Sequence, residues 1–158
     1  MRSTTVSAVA RACIVTLVVI GLLGAVMAEA VHLSPEGAIE PTATWGLGVL
    51  AGDYVYVAGM RGIDPADNSL VEGDEERVRQ GFMNMKQIAE EGGAELTDTT
   101  RLVVYVTDMF RYRPIVNQIQ EELWGDGPYP PRTIIEINRL NQDDIFEVEG
   151  TFHRPQTD

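Results

Sequence analysis

Near its C-terminal end the sequence contains an arginine and two glutamates whose types and spacing suit chemistry on a small acid. Arg132 follows the rigid run Gly-Pro-Tyr-Pro-Pro and begins a predicted strand, and Glu147 and Glu149 share one face of the next predicted strand. If these two strands form a hairpin, Arg132 lies near both acids. A guanidinium and a carboxylate together bind a small carboxylic acid and activate a water molecule. The alternative is an Arg–Glu ion pair that only ties the hairpin together.

Other kinds of catalysis lack the necessary residues. The chain has one cysteine, Cys13, and two histidines, His32 and His153, so it forms no intrachain disulfide and no cysteine-based zinc site. It contains no Gly-x-Ser-x-Gly nucleophile motif, and the glycines between residues 46 and 52 lack the spacing and the lysine of a phosphate-binding loop. The residues therefore support neither a cysteine-based metal site nor nucleophilic catalysis, and the two histidines do not make a metal site by themselves.

The charge balance opposes a nucleic-acid partner. The 158 residues include 24 acidic and 12 basic side chains, which give a formal net charge of −12. Binding to a phosphate backbone requires a basic surface. We expect a small molecule as the partner and no nucleic acid.

The first thirty residues have the composition of an export signal. Arg2 and Arg11 precede an uncharged, mostly apolar run from Ala12 to Ala28, and Ala28-Glu29-Ala30 has the small-x-small pattern of a cleavage site. This pattern predicts a cleaved signal peptide over residues 1–30 and a periplasmic or secreted protein. The alternative is an uncleaved N-terminal membrane anchor, because the apolar run has the length of a short membrane span. Only in that case is a membrane a partner.

Residues 31–158 have the pattern of one domain in which strands and helices alternate. Two short strands flank the turn at Ala51-Gly52-Asp53, and a third, from Thr100 to Thr107, is apolar on both faces, as a central strand is. Apolar side chains recur at helical spacing after Asp74 and again around Ile119, and two more strands follow. The order β-β-α-β-α-β-β predicts an α+β fold with one sheet and two helices on one face.

One face of the predicted sheet is not covered by a helix. A half-covered sheet whose central strand is apolar on both faces is typical of a subunit in an oligomer. We therefore expect an oligomer. The alternative is that the segment from Val31 to Thr44 folds over the uncovered face.

Three stretches of the sequence carry a resemblance to a known family. The first is the hairpin from Gly48 to Gly59, and the second runs from Gly92 to Asp108 and is followed by Val116-Asn117. The third is Tyr-Pro-Pro-Arg-Thr-Ile-Ile-Glu-Ile-Asn-Arg-Leu over residues 129–140, with Phe-Glu-Val-Glu-Gly over residues 146–150. The chain resembles, over roughly residues 40–154, the RidA/YjgF family of reactive-intermediate deaminases, whose older label is L-PSP endoribonuclease.

The resemblance implies the chorismate-mutase-like α+β fold, with one mixed sheet, and a homotrimer with clefts between its subunits. It implies that Arg132 binds the carboxylate of a 2-imino or enamine acid and that Glu147 activates the water that attacks the C=N carbon. Gly59 is implied to hydrogen-bond the substrate through its backbone, Trp45 to cover the pocket, and Asn117 to be a further substrate-binding position. The implied reaction is hydrolytic deamination to a 2-oxo acid and ammonia, without a metal or cofactor.

The sequence departs from the family pattern around the implied pocket. Trp45 replaces a tyrosine, Ala58 a serine, and Met60-Arg61-Gly62 the usual Gln-x-Pro, while Ile134 stands where many members have a cysteine. Two alternative functions stay open. One is a trimer that binds small carboxylic acids without converting them. The other is an endoribonuclease, which the acidic net charge opposes.

Overall fold

The computed structural model describes residues 29–155, which form one six-stranded sheet with two helices on one of its faces. In chain order the strands are β1 (Val31–Leu33), β2 (Gly48–Ala51), β3 (Tyr54–Met60), β4 (Thr99–Val106), β5 (Arg132–Glu136) and β6 (Phe146–His153). The helices are α1 (Asp74–Glu91), between β3 and β4, and α2 (Met109–Trp124), between β4 and β5. Short 3-10 turns span Leu96–Asp98 and Asn141–Asp143.

The sheet has the strand order β1-β2-β3-β6-β4-β5. Neighbouring strands are antiparallel except β4 and β5, which are parallel because α2 connects them as a crossover. The predicted α+β class with one mixed sheet is confirmed. β1 is an additional edge strand that pairs with β2, and its three residues form too short a pattern to be recognised in the sequence.

β5 and β6 do not form the predicted hairpin. β4 lies between them and pairs with both, so β5 is an edge strand of the sheet. The prediction is wrong because it takes consecutive strands as neighbours, whereas the β4–α2–β5 crossover places β5 on the outer side of β4. The alternative of an Arg–Glu ion pair across that hairpin is wrong for the same reason.

The core lies between the sheet and the two helices. Phe146, Val148 and Phe152 of β6 are fully buried, as the alternation of the sequence predicts. The ring of Phe82 in α1 lies 5.4 Å from that of Phe146 and 5.9 Å from that of Trp124 in α2, measured between centroids. Both helices and β6 therefore meet in one aromatic cluster.

Local sequence determines where the helices begin. Asp74, Glu75 and Glu76 occupy the first turn of α1, where the helix dipole favours acidic side chains. The side chain of Asp108 accepts a hydrogen bond from the backbone N–H of Arg111 at 3.0 Å and so caps the start of α2. By fixing the start of α2, this cap also fixes which of its side chains face β5.

The sheet face opposite the helices is uncovered in one chain. Tyr56 of β3 and Ile135 of β5 are 45% and 39% exposed on it. The segment after β1 does not cover them: Ile39 is buried in the core, and the side-chain amide of Gln87 in α1 donates to the backbone oxygen of Glu36. The expected oligomer stays a prediction, and the uncovered face is the surface available to it.

The predicted signal peptide or anchor over residues 1–30 lies almost entirely outside the described residues, which begin at residue 29. Within residues 29–155, neither helix is long and apolar enough to cross a membrane. Export of the protein stays a prediction from the sequence.

Candidate functional site

Arg132 lies at the start of β5 and, together with side chains of α2, lines a cleft of about 500 Å³. Its two terminal guanidinium nitrogens donate to the side-chain oxygens of Gln120, at 2.6 Å, and Asn117, at 2.7 Å. These two residues are three positions apart on α2 and therefore share a face of the helix. Tyr129 and Pro130, from the connector before β5, line the same cleft. The helix thus holds the guanidinium in a fixed orientation beside an open cleft.

Arg132 forms no ion pair with any carboxylate in the described part of the chain. Glu121 lines the same cleft but forms no hydrogen bond with Arg132. Burial lowers the pKa of the Arg132 guanidinium, and the positive charge of Arg113 acts in the same direction. A half-buried cation that is hydrogen-bonded by neutral amides but has no counter-charge is a receptor for an anion. The arrangement suits a small carboxylic acid.

Glu147 lies on the sheet face opposite the helices, whereas Arg132 lies on the helix side, and Glu147 lines a cavity of about 280 Å³. Trp45, Gly59 and Arg61 line the same cavity, and Trp45 is 37% exposed, so its ring borders both the cavity and solvent. A bulge in β3 interrupts its pairing with β6 and carries Gly59 against Glu147. Three side chains and one backbone segment from separate parts of the chain therefore surround one space.

The Glu147 carboxylate accepts no hydrogen bond from the residues that the structure describes. Burial raises the pKa of this carboxyl group; the positive charge of Arg61 opposes the rise, and the negative charges of Asp144 and Glu149 add to it. A raised pKa brings a carboxyl group closer to neutral pH, where it exchanges protons with a bound water molecule.

The predicted site residues form two groups that do not meet within one chain. Arg132 and Glu147 lie on opposite sides of β4 and three residues apart along it. Their α carbons are about 14 Å apart, because two strand spacings across the sheet and three residues along β4 lie between them. The structure brings Asn117 to Arg132, and it brings Trp45 and Gly59 to Glu147, but it does not bring the arginine to the glutamate.

Three side chains that hold these groups were missed in the sequence. Gln120 was recoverable, because it lies one helical turn from Asn117. Arg61 was visible as a departure from the family pattern, without a role. Asp144 gave no signal: its side chain is fully buried and pairs with Arg61 at 3.4 Å and Arg77 at 3.7 Å, but the surrounding polar run looks like an exposed loop.

Residues 29–155 contain no cluster of three or more histidine, cysteine, aspartate or glutamate side chains that could hold a metal ion. What they present is a fixed guanidinium in one cleft and a carboxyl group with a raised pKa in the other. The first has the chemistry to bind an anion, and the second has the chemistry to exchange a proton.

Comparison with known proteins assigns the family. The family model described as Endoribonuclease L-PSP matches residues 35–153. The chain belongs to the RidA/YjgF family. A RutC family protein of Pyrococcus abyssi is 31% identical over 120 residues, which cover 75% of this chain and 93% of the relative. A 2-iminobutanoate/2-iminopropanoate deaminase of Dermatophagoides farinae is 26% identical over 119 residues, 75% of this chain and 91% of the relative.

Solved structures show the same RidA-type fold. A probable translation initiation inhibitor from Rhodopseudomonas palustris is 46% identical and has a TM-score of 0.79, with 81% of this chain and 100% of that one covered. RidA from the Antarctic bacterium Psychrobacter is 27% identical and has a TM-score of 0.74, with 78% and 98% covered. The resemblance to the RidA/YjgF family and the fold it implies are therefore confirmed.

Proposed function

We propose that this protein hydrolyses 2-imino and enamine acids to 2-oxo acids and ammonia. An enamine acid first tautomerises to the imine as a proton moves from its nitrogen to its β carbon. Water then adds to the carbon of the C=N bond, and the resulting amino alcohol loses ammonia as its C–N bond breaks and a C=O bond forms. An iminium acid and water give a 2-oxo acid and an ammonium ion, so the reaction balances without an oxidant or reductant. One relative is named as an imine deaminase, and the chain supplies both groups that the reaction needs.

The observation that carries the proposal is the state of Arg132. Two neutral amides fix its guanidinium, and its charge has no counter-ion in the described residues. The planar fork is therefore oriented in advance for a carboxylate, which it binds through two parallel hydrogen bonds. Binding of this kind holds the imine carbon in place for attack.

Glu147 moves the protons in the proposed reaction. Its carboxyl group faces a cavity and has a pKa that burial raises. It takes a proton from the attacking water and returns it to the leaving nitrogen, and both steps are favoured when the pKa of the group is close to the working pH. The backbone of Gly59 offers hydrogen bonds to the substrate, and Trp45 closes the cavity from the side of the solvent.

The two groups come from different subunits in this proposal. The subunit is part of a homotrimer in which Arg132 of one copy and Glu147 of the next face a shared cleft. Support comes from the uncovered sheet face, with its exposed Tyr56 and Ile135, and from the separation of the two groups within one chain. A head-to-tail contact that uses two different surfaces of each copy closes into a ring.

A coupled assay tests the proposed reaction. An amino-acid oxidase generates the imino acid, and the rate of 2-oxo acid formation is measured with and without the protein. Residues 1–30 are removed beforehand, since their sequence supports the proposal that they direct export to the periplasm or medium. We expect formation faster than spontaneous hydrolysis, and a much smaller acceleration by Arg132→Ala. Binding of the acids without acceleration would favour the binding-only alternative, and cleavage of RNA would favour the endoribonuclease.

A further inference from the structure

The cavity of Glu147 contains a second charged side chain, Arg61, for which the proposed reaction has no role. Arg61 directly follows the last residue of β3, and its side chain is 11% exposed. It lines the cavity together with Glu147 and Gly59. A nearly buried guanidinium and a buried carboxyl group therefore share one cavity.

The loop before β6 holds the guanidinium of Arg61 through three acceptors. One terminal nitrogen donates to the backbone oxygen of Asn141 at 2.9 Å and to the Asp144 carboxylate at 3.4 Å, and the other donates to the side-chain oxygen of Gln142 at 2.9 Å. The Asp144 side chain is fully buried. Because these acceptors converge on one planar group, its orientation is fixed.

The backbone of Arg61 is fixed independently, from the side of the helices. Asn84 of α1 is buried, and its side-chain amide donates to the backbone oxygens of Arg61 at 3.0 Å and Ile63 at 2.8 Å. The side chain of Gln80, one turn earlier on α1, donates to the amide oxygen of Asn84 at 2.8 Å. The guanidinium and the main chain of Arg61 are therefore both held in place.

Arg61 is placed to act on the charge of Glu147. Arg61 and Arg77 both pair with the Asp144 carboxylate, but of these two guanidinium groups only that of Arg61 lines the Glu147 cavity. A positive charge near a buried carboxyl group favours its ionised form. Arg61 therefore favours the ionised form of Glu147.

We propose that Arg61, clamped by Asp144 and the loop before β6, is a positioning residue that keeps Glu147 ionised and ready to accept a proton from water. The inference rests on the proposed function for the role of Glu147, but the interaction between the two side chains does not depend on it. Asp144 acts through Arg61 by fixing its guanidinium near the cavity.

Other charged groups also act on the ionisation of Glu147. Asp144, from the loop before β6, and Glu149, on β6, both raise the pKa of Glu147, as burial does, while Arg61 lowers it. Tyr105 of β4 lies opposite Glu147 in the pairing of β4 with β6, and Arg101 lies further along the same face of β4. Of the groups that act on the pKa of Glu147, Arg61 is the cation.

Titration of Glu147 by carbon-13 NMR tests the proposal without an activity assay. The protein is labelled at glutamate carboxyl carbons, and the Glu147 signal is identified by its loss in Glu147→Gln. We expect Arg61→Gln to raise the pKa of Glu147 by about one unit, the effect of removing a nearby opposite charge. Arg61→Lys should restore most of the wild-type value, because it keeps the charge.

Arg77→Gln is the matched control. It removes the other guanidinium that pairs with Asp144, but Arg77 does not act on the pKa of Glu147. We expect its titration curve for Glu147 to match the wild type. A merely structural role of Arg61 predicts instead that Arg61→Gln and Arg77→Gln both lower the melting temperature and leave the titration of Glu147 unchanged. That result would overturn the proposal.

A second comparison serves if Arg61→Gln does not fold. Asp144→Asn replaces the buried carboxylate by a neutral amide, so Arg61→Gln in this background removes a guanidinium without taking an ion-pair partner from Asp144. The pKa of Glu147 must still be higher in the double variant than in Asp144→Asn alone. If Arg61→Gln raises the pKa of Glu147 but wild type does not accelerate imine hydrolysis, the proposed function fails and this inference stands. If wild type accelerates hydrolysis but Arg61→Gln leaves the pKa of Glu147 unchanged, the proposed function stands and this inference fails.

Discussion

Gly59 lies so close to Glu147 that a methyl group on its α carbon would overlap the carboxylate of that glutamate. The two residues belong to neighbouring strands, β3 and β6, and meet at the bulge where the pairing of these strands shifts. The φ angle of Gly59 is not in the left-handed region that favours glycine. Space for the carboxylate, and not backbone conformation, is therefore the reason for glycine at this position.

Gly59→Ala is expected to displace the Glu147 carboxylate and to reduce kcat/KM for imine hydrolysis on the order of a hundredfold, the cost of misplacing a reacting group by about an ångström. The matched control is Gly46→Ala, because an added methyl group there meets nothing within 4 Å. Steady-state kinetics in the coupled assay compare the two variants. Equal activity of both would show that the position of Glu147 is not important.

Arg132→Ala is expected to reduce kcat/KM by about a hundredfold, because a charge-assisted bidentate contact is worth roughly 3 kcal/mol. Arg132→Lys should recover little, since an ammonium group cannot reproduce the fork. Arg139→Ala is a suitable control: that arginine is exposed and pairs with Asp143. Wild-type activity in Arg132→Ala would end the assignment of the carboxylate to this cleft.

Gln120 orients Arg132, so its replacement is expected to weaken substrate binding and spare the chemical step. Gln120→Leu keeps the volume of a buried side chain but removes the acceptor at 2.6 Å. We expect KM to rise about tenfold with kcat nearly unchanged, as for loss of one hydrogen bond to a charged group. Gln118→Leu is the control, because Gln118 is exposed and its amide donates to Glu75 of α1 and Glu122 of α2, not to Arg132. A fall in kcat without a change in KM would contradict this role.

The sequence predicts the layers of the fold better than their connections. The alternation of β6 correctly places Phe146 and Phe152 in the core, because side-chain direction follows from local strand geometry. The position of β6 between β3 and β4 is set by pairing of residues far apart in the chain, which no local pattern encodes. The assumed hairpin was wrong for that reason.

The same limit applies to the site. Family motifs identified Arg132 and Glu147, but nothing in the motifs shows that they face opposite sides of the sheet. The burial of Asp144 depends on Arg61 and Arg77, which follow β3 and lie on α1, so its environment exists only in the folded chain. Gln120 is different, because helical spacing from Asn117 places it locally.

Glu147→Gln is expected to stabilise the protein at neutral pH while it slows turnover. Burial raises the pKa of Glu147 in the folded state, so its ionised form lowers stability above that folded pKa. Below the unfolded pKa, about 4.3, the carboxyl group is protonated in both states and the penalty disappears. The melting temperature of Glu147→Gln should therefore exceed that of wild type at pH 7.5, and the difference should vanish as the pH falls to about 4.

Glu36→Gln corrects that comparison for the loss of one negative charge, because Glu36 is exposed and is not among the groups that act on the pKa of Glu147. A stability advantage of Glu147→Gln that is independent of pH would show that it does not come from the ionisation of Glu147.

The separation of Arg132 from Glu147 predicts that two inactive variants restore each other. In a homotrimer with shared clefts, Arg132→Ala subunits still supply Glu147, and Glu147→Gln subunits still supply Arg132. At equal and random mixing, one interface in about four combines the two intact side chains, so about a quarter of wild-type activity should return. The two variants are co-expressed in equal amounts with different tags that report their ratio, and trimers of all compositions are assayed together.

Light scattering gives the control for that experiment. It should show a trimer mass for wild type, for each variant and for the mixed species, so that restored activity reports on the composition of the cleft and not on assembly.

A double variant carrying Arg132→Ala and Glu147→Gln in the same chain, mixed with wild type, leaves intact clefts only between wild-type neighbours. Equal mixing should then also give about a quarter of the activity of wild type, since each cleft needs two intact contributors. If both groups instead acted within one chain, the first mixture would stay inactive and the second would keep about half of the activity, because each wild-type subunit would work alone.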